Sequence, residues 1–418
     1  MQVAVIGAGI IGVTTAHELA SQGHAVTVFE RRGTVAEEAS FANAGVIAPG
    51  YVTPWAGPGM PLKVLRQLFS RHAAVRLAGP GVLAELPWLW RWWRACRPAV
   101  YAANRATMHE LAKLSRDRTL ELTRSLGLEY EQMPGYMVLL RGASELEQAQ
   151  PGLAMLRSLG VVHEVIDATR ARWIEPALNL AMRLHAAIHL PQDGVGNCRQ
   201  FAHLLKAQAQ KLGAQFLFDT HVQGVLPGDR PTVQLASLPD QAFDAVVVCA
   251  GVHANAVLSG VGVRLPLAAV HGYSITAPIR HQDGRPDPGP RTALMDERYK
   301  VAISRLGQRV RVAGSAEIGG RSHDHSAAAL RTLYEVLDDW FPGAALNREA
   351  QEWKGARPML PDGPPVLGAS GAPGVWLNLG HGSSGWALAC GSACVLADAL
   401  AGRAPAIDTT RLSVGRLK

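Results

Sequence analysis

The chain opens on VAVIGAGIIG, and that run constrains what can follow. Its first residues are apolar and β-branched, as a buried strand requires, and they lead into glycines. A helical pattern covers residues 10–21 and stops before Gly23, after which AVTVFE reads as a second strand. Strand, helix and strand within thirty residues make a βαβ unit, which implies a parallel sheet and an α/β fold.

Gly7, Gly9 and Gly12 spell GxGxxG at the strand-to-helix turn, and Glu30 ends the next strand. Gly7 permits a tight turn, Gly9 removes a side chain that would block a pyrophosphate, and Gly12 lets the helix pack closely. The helix N-terminus offers amides and partial positive charge to phosphates. Glu30 is placed to accept hydrogen bonds from a ribose diol, which disfavours a 2′-phosphate there. Dinucleotide binding follows, although the motif alone does not separate FAD from NAD. The loop SFANAGVIAPGY favours FAD, because Ser40, Asn43, Ala44 and Gly45 bring small side chains and backbone amides suited to a flat ring. An ordinary packed loop has the same composition.

Residues 31–60 form an irregular stretch too apolar for a solvated linker, and such long loops in compact proteins are usually functional. Helical patterning follows over 62–126, then a strand GYMVLL and a helix over 143–159. Near DGVGN the chain is expected to return to the nucleotide-binding layer, through a helix over 198–212 and strands QFLFDT and DAVVVCAG. A strand-rich portion over 265–316, a helix over 325–340 and a closing strand, glycine loop and long helix complete it. A second layer is thus inserted between pieces of the first.

With 418 residues the chain can bury a large core without disulfides or metals. Its net charge of +7 is spread along the sequence, which gives no support to nucleic-acid binding and suits anionic ligands or an anionic membrane surface. The five cysteines match neither a zinc site nor a disulfide framework, so a reducing compartment is the expectation and no metal is assigned. No secretory leader is read at the N-terminus, and charged residues or histidine interrupt every apolar run. The expected location is the cytoplasm, soluble or peripheral on the inner membrane.

Three further segments carry chemistry. Gly382, Ser383, Ser384 and Gly385 sit between an apolar strand and a helix, where free amides and the helix dipole favour negative charge at the edge of a reduced isoalloxazine. The neighbouring His381 reads either as a contact to flavin or substrate or as a hydrogen-bonded structural histidine. Arg357, in GARPMLPDG, stands in a segment poor in charge, and a guanidinium grips a carboxylate with two parallel hydrogen bonds. Tyr273, in HGYSIT, reads either as a substrate contact or as a core tyrosine, and Tyr299 reads the same way more weakly. In PWLWRWWRACR, Trp88, Trp90, Trp92 and Trp93 alternate with arginines, which fits core packing or a membrane interface.

Taken together, VAVIGAGIIGVTTA, SFANAGVIAPGYVTPWA, LPWLWRWWRACR, GYSIT, YKVAISR, RVAGSAEIGG, GARPMLPDG and NLGHGSSGWALACGSA resemble the FAD-dependent D-amino acid dehydrogenase small-subunit family, within the D-amino acid oxidase and glycine oxidase superfamily. The likeness runs nearly end to end. It implies a Rossmann-type FAD-binding domain built from residues 1–60, 185–262 and 345–418, and an α+β substrate domain with a mixed sheet from 61–184 and 263–344. It implies non-covalent FAD, oxidative deamination of D-amino acids to 2-oxo acids and ammonia by hydride transfer from Cα to flavin N5, and passage of electrons to a quinone or other acceptor. Partner subunits would fit a chain of this kind. Gly7, Gly9, Ile10, Ile11, Gly12, Glu30, Arg31, Ser40, Asn43, Ala44, Gly45, Val222, Gly251, Gly382, Ser383, Ser384 and Gly385 would serve the cofactor, and Arg357, Tyr273 and His381 the substrate. VVVCAGVHANAVL departs from that family at Gly251, Val252 and His253, where a Gly-Ser-Tyr-type sequence is expected, and follows the wider superfamily. Enzymes of glycine, sarcosine or D-hydroxyproline are therefore the alternative, and a flavin-bearing electron-transfer subunit is the rival of another class.

Overall fold

The computed structural model describes residues 1–67, 72–79, 81–281, 283–284, 286–321 and 324–417. The opening reading holds with one residue's difference: strand Gln2–Ile6, helix Ile10–Ser21 and strand Ala25–Phe29, which stops just before Glu30. These strands are the centre of a six-stranded sheet ordered Val366–Ala369, Val375–Leu379, Ala245–Val248, Gln2–Ile6, Ala25–Phe29 and Gln215–Leu217. All its pairings are parallel except the edge pair Val366–Ala369 with Val375–Leu379. Central parallel strands are buried on both faces, which is why AVVV at 245–248 carries no polar residue.

One face is covered by helices Ile10–Ser21, Cys198–Lys211 and Gly385–Leu400, packed through Val13, Leu19, Phe201, Leu205, Trp386 and Leu396. The other carries a three-stranded antiparallel meander, Val222–Leu226, Thr232–Leu235 and Gln241–Ala242, with Val225, Val233 and Leu258 in the core. Residues 382–400 form a helical stretch long and apolar enough to cross a membrane by length and composition. Most of it is buried within the protein, against the first helix and the long helix Pro98–Ser125. Its apolarity serves the core.

The second sheet has ten strands and is mixed. Its main path runs Gln351–Met359, Ala268–Pro278, Arg309–Ile318, Val301–Leu306, Ala293–Asp296, Gln132–Leu140, Ala186–Gly196 and Val46–Ile47. Val75–Leu77 pairs with Arg309–Ile318, and Glu164–Asp167 with Ala186–Gly196. Helix Ala327–Trp340 covers one face through Leu333, Val336 and Trp340. The molecule is therefore α/β, a Rossmann-type layer joined to a mixed-sheet layer.

Two features of the sequence reading shift. Strands Val46–Ile47, Ala186–Gly196 and Gln351–Met359, from the pieces 1–60, 185–262 and 345–418 expected in the FAD-binding domain, pair inside the mixed sheet. The last two segments carry enough Gly and Pro to mask a strand pattern. The helical stretch over 62–126 resolves into helices Met60–Gln67, Gly81–Ala84, Leu86–Ala95 and Pro98–Ser125, with a strand at Val75–Leu77. Parts of that reading, residues 68–71 and 80, lie outside the described residues, as do 282 and 285 of the strand-rich portion and 322–323 beyond it.

Candidate functional site

A cavity of about 960 Å³ runs between the two sheets, from the turn after the first strand to the mixed sheet. At its nucleotide end, Gly7 has a φ of 103°, and a methyl placed on it would stand 2.8 Å from the Cys249 carbonyl oxygen. A methyl on Gly12 would stand 1.8 Å from the Gly7 carbonyl oxygen. Gly12 accordingly packs helix on strand and is not part of the cavity wall. At Gly9 the protein itself leaves room, since the nearest atom to such a methyl is Ser40 Oγ at 3.5 Å. The space left beside Gly9 is what the close approach of a pyrophosphate would require.

Glu30 closes this end: its carboxylate accepts the Ala8 amide at 2.6 Å and the Arg32 amide at 2.9 Å. Ser40 Oγ accepts the Ile10 amide at 3.1 Å. Ile10, Ile11, Arg31, Val222 and Gly251 all border the cavity. Arg31 donates to Glu38 at 2.6 Å and meets His253 Nε2 at 2.8 Å. The departure from the family pattern at His253 thus falls beside Arg31, at the nucleotide end.

The loop bearing Asn43, Ala44 and Gly45 is held from the mixed sheet. Ser274 Oγ donates to the Ala42 carbonyl at 2.7 Å, Arg311 Nη1 to that of Asn43 at 3.1 Å, and Ser304 Oγ to that of Ala44 at 2.8 Å. Asn43 Oδ1 accepts the Gly45 amide at 2.9 Å, closing an Asx turn at a φ of 74°. With consecutive carbonyls held by the sheet, the loop is fixed across the middle of the cavity.

Gly382, Ser383, Ser384 and Gly385 border the same cavity, as a short 3-10 turn running into helix Gly385–Leu400. The N-terminal end of that helix is therefore at the cavity, where its dipole favours negative charge. His381 borders the cavity too, and its ring is held by the core. Its Nε2 pairs with Ser392 Oγ at 2.9 Å, and burial pulls its pKa down to about 3, so the ring is neutral and engaged with the core helix.

Arg357 occupies the mixed-sheet end. Its Nη1 donates to the Ser315 carbonyl at 2.8 Å. Ser315, at a φ of 62°, lies where the pairing register shifts opposite His271 and Tyr273, a bulge that turns this carbonyl toward the guanidinium. Burial lowers the Arg357 pKa to about 10, and among the described residues no carboxylate pairs with it. A half-buried guanidinium with most of its donors unspent could take an anion from the cavity.

Tyr273 also borders the cavity, but its side chain is not on the face that carries Arg357, and the register says why. It pairs with Lys354, whereas Gly272 pairs with Gly355 on the face that Arg357 shares. Side chains alternate across a strand, so Tyr273 must face the opposite way. Its hydroxyl donates to Glu317 Oε2 at 2.7 Å, Glu317 pairs with Lys354, and the phenol pKa is raised by burial and by that carboxylate. Tyr299 packs away from the cavity, beside Arg141 and His72.

Several cavity residues were not among the expected site residues: Tyr51, Trp55, Lys63, Tyr101, Arg105, Glu297, Lys300 and Trp353. Tyr101 and Arg105 are one helical turn apart on Pro98–Ser125, and Trp353 and Arg357 share the i, i+2, i+4 face of a strand, so periodicity was the available signal. The tryptophan cluster divides. Trp88 and Trp92 are buried against Trp55, with Trp88 Nε1 donating to the Met359 carbonyl at 2.9 Å, while Trp90 and Trp93 are exposed and stacked at 5.0 Å. The cysteines are free, and burial pushes the thiols of Cys198, Cys249 and Cys390 up to about 12, which keeps them protonated.

A family model described as FAD dependent oxidoreductase matches residues 2–399. A D-amino acid dehydrogenase of Cereibacter sphaeroides is 42% identical over 419 residues, covering 100% of this chain and 95% of that one. A protein of the same name from Bradyrhizobium diazoefficiens is 40% identical over 421 residues, covering 100% and 99%. Among solved structures, glycine oxidase from Geobacillus kaustophilus shares the fold, with a TM-score of 0.74 and 22% identity over 99% of this chain and 97% of that one.

Proposed function

The chain belongs to the FAD dependent oxidoreductase family, and from that premise we propose that it is a D-amino acid dehydrogenase holding FAD without a covalent bond. Bound FAD supplies a two-electron acceptor for the hydride leaving substrate Cα; with loss of an amine proton this gives an imino acid, which water hydrolyses to a 2-oxo acid and ammonia. The protein's own part is orientation. Gly7, Gly9, Glu30, Ser40 and the loop 42–45 would hold the cofactor, and the amides at Gly382–Gly385 favour negative charge beside it. Arg357 takes the substrate carboxylate and so fixes which face of Cα is presented. No side chain need act as a base if the substrate amine enters neutral.

The observation that carries this reading is Arg357: a half-buried guanidinium, without a carboxylate partner among the described residues, in the same cavity as the dinucleotide cradle. Two full-length relatives named D-amino acid dehydrogenase support the substrate class. Electrons leave to a quinone or other acceptor. The place of work is the cytoplasmic face of the inner membrane, supported by the exposed Trp90–Trp93 stack among exposed Arg91, Arg94 and Arg97.

The test is anaerobic. Visible flavin absorption is followed while D-amino acids, L-amino acids, glycine, sarcosine and D-hydroxyproline are added in turn. Bleaching by D-amino acids supports the proposal; bleaching by glycine or secondary amines alone transfers the function to them. A flavin that nothing reduces indicates an electron-transfer subunit. Acid precipitation tests the attachment, since a non-covalent flavin leaves with the supernatant.

A further inference from the structure

A second guanidinium faces the cavity, and the reaction as proposed does not use it. Arg105 is 6% exposed and borders the cavity from helix Pro98–Ser125. Its Nη1 donates to the hydroxyl of Tyr101, one turn earlier on the same helix, at 3.1 Å. Among the described residues it has no ion pair with a carboxylate within 4.0 Å. A guanidinium carries five N–H donors, so this one retains donors for a ligand.

Its place in the fold puts it in the substrate half. On the same helix, Asn104 Nδ2 donates to the Asp362 carbonyl at 3.0 Å, and Met108 Sδ lies 3.4 Å from where a methyl on Gly363 would stand. Those residues follow the strand that carries Arg357. Tyr101 packs against Gly57, at the end of the loop holding Tyr51 and Trp55.

The charges there are unbalanced. Among the described residues three acids border the cavity, Glu30, Glu38 and Glu297. Glu30 and Glu38 belong to the nucleotide end, where the Ala8 and Arg32 amides and the Arg31 and Arg32 side chains engage them. Glu297 is paired with Lys300 and accepts the Tyr51 hydroxyl at 3.2 Å. Arg357, Arg105 and Lys63 remain as cavity cations in excess. One α-carboxylate answers Arg357 alone.

We propose that Arg105, positioned by Tyr101, is a specificity-determining residue that receives a side-chain carboxylate, so that the chamber favours D-amino acids with an acidic side chain over those with a cationic one. This rests on the D-amino acid reading above. Buried charges without partners are costly, and a site with two such guanidinium groups favours the ligand that satisfies both.

The experiment uses the full-length FAD-loaded protein and unreactive probes. Perturbation of the visible flavin spectrum is titrated with glutarate and with butyrate, of similar length but one carboxylate fewer, in wild type, Arg105→Met and Arg105→Lys. Wild type is expected to bind glutarate at least about tenfold more tightly; Arg105→Met should reduce the preference to within about threefold, and Arg105→Lys should keep most of it. An equal preference in wild type and Arg105→Met, or no preference in wild type, overturns the proposal. If Arg105→Met fails to retain flavin, Tyr101→Phe carries the test, and an unchanged glutarate-to-butyrate ratio overturns it. Bleaching by D-alanine without a dicarboxylate preference sinks this inference alone; the preference without bleaching by any D-amino acid sinks the enzymatic reading alone.

Discussion

The guanidinium of Arg357 lies directly over Gly272: a methyl placed on that glycine would stand 2.2 Å from Nη2 and 2.4 Å from Cζ. Across the strand pair, Gly355 leaves a matching gap that the Trp353 ring fills, with its nearest carbon 2.0 Å from a methyl placed there. Two paired glycines thus clear a flat patch on the cavity face of the sheet, and the side chains at 353 and 357 lie down on it. The position of the charged group is set by the residue beneath it.

Gly272→Ala is therefore expected to displace Arg357 while leaving the nucleotide cradle intact. KM for the substrate should rise at least tenfold, roughly 1.4 kcal/mol of lost binding or more, with flavin content unchanged. Arg357→Ala should do the same, and the double variant should add little to either, because both remove one contact. Steady-state kinetics on flavin-replete protein decide it; a fully additive double variant would show that Gly272 acts on something else.

Gly12→Ala tests the opposite end. Its methyl has nowhere to go, standing 1.8 Å from a backbone oxygen of the strand-to-helix turn, so the helix must move off the strand. Overpacking of this kind costs about 1–3 kcal/mol, and here it also shifts the amides that face the phosphates. The variant should purify largely without flavin and melt several degrees lower. Full flavin occupancy with an unchanged Tm would contradict the packing argument.

The loop across the middle of the cavity gives a third prediction. Arg311 reaches it from the mixed sheet, donating Nη1 to the Asn43 carbonyl and Nε to Thr276 Oγ1 at 2.9 Å. Arg311→Met leaves a backbone acceptor without its donor, a loss of about 1–3 kcal/mol for a buried group. The expected result is a Kd for FAD raised roughly tenfold, by about 1.4 kcal/mol, read from flavin fluorescence on dilution. An unaltered Kd would mean that Ser274 and Ser304 hold the loop unaided.

The nucleotide end was legible in the sequence because its determinants are local: three glycines and an acid within thirty residues, on elements whose periodicity is unmistakable. Arg357 was legible for a related reason, as a guanidinium in a segment poor in charge. Tyr273 was not, because its orientation depends on pairing with Lys354, a contact eighty-one positions away that no local pattern encodes. Arg105 sits on a long helix among other arginines, and only its one-turn spacing from Tyr101 marks it as the one facing inward. The strand membership of 186–196 and 351–359 was hidden for the same reason as Tyr273, since partners in a mixed sheet are chosen by tertiary structure.

The last prediction concerns pH. Asp193 is 5% exposed and its Oδ2 accepts the Gly50 amide at 3.2 Å, beside Tyr51 on the cavity wall. Burial pushes its pKa up from 3.8 to about 7, against the opposing pull of the Gly50 amide and of Arg116. A carboxyl with a folded pKa above its unfolded one holds its proton more tightly when folded. Its contribution to stability is therefore fully present below the unfolded value and is lost as pH rises toward about 7. Asp193→Asn keeps an acceptor for Gly50 and removes the ionisation. Its Tm should exceed that of wild type by a few degrees at pH 8, and the two should converge as pH falls toward about 4. Melting curves run in parallel across that window would place the titration elsewhere, and a variant less stable at every pH would show that Asp193 is held ionised.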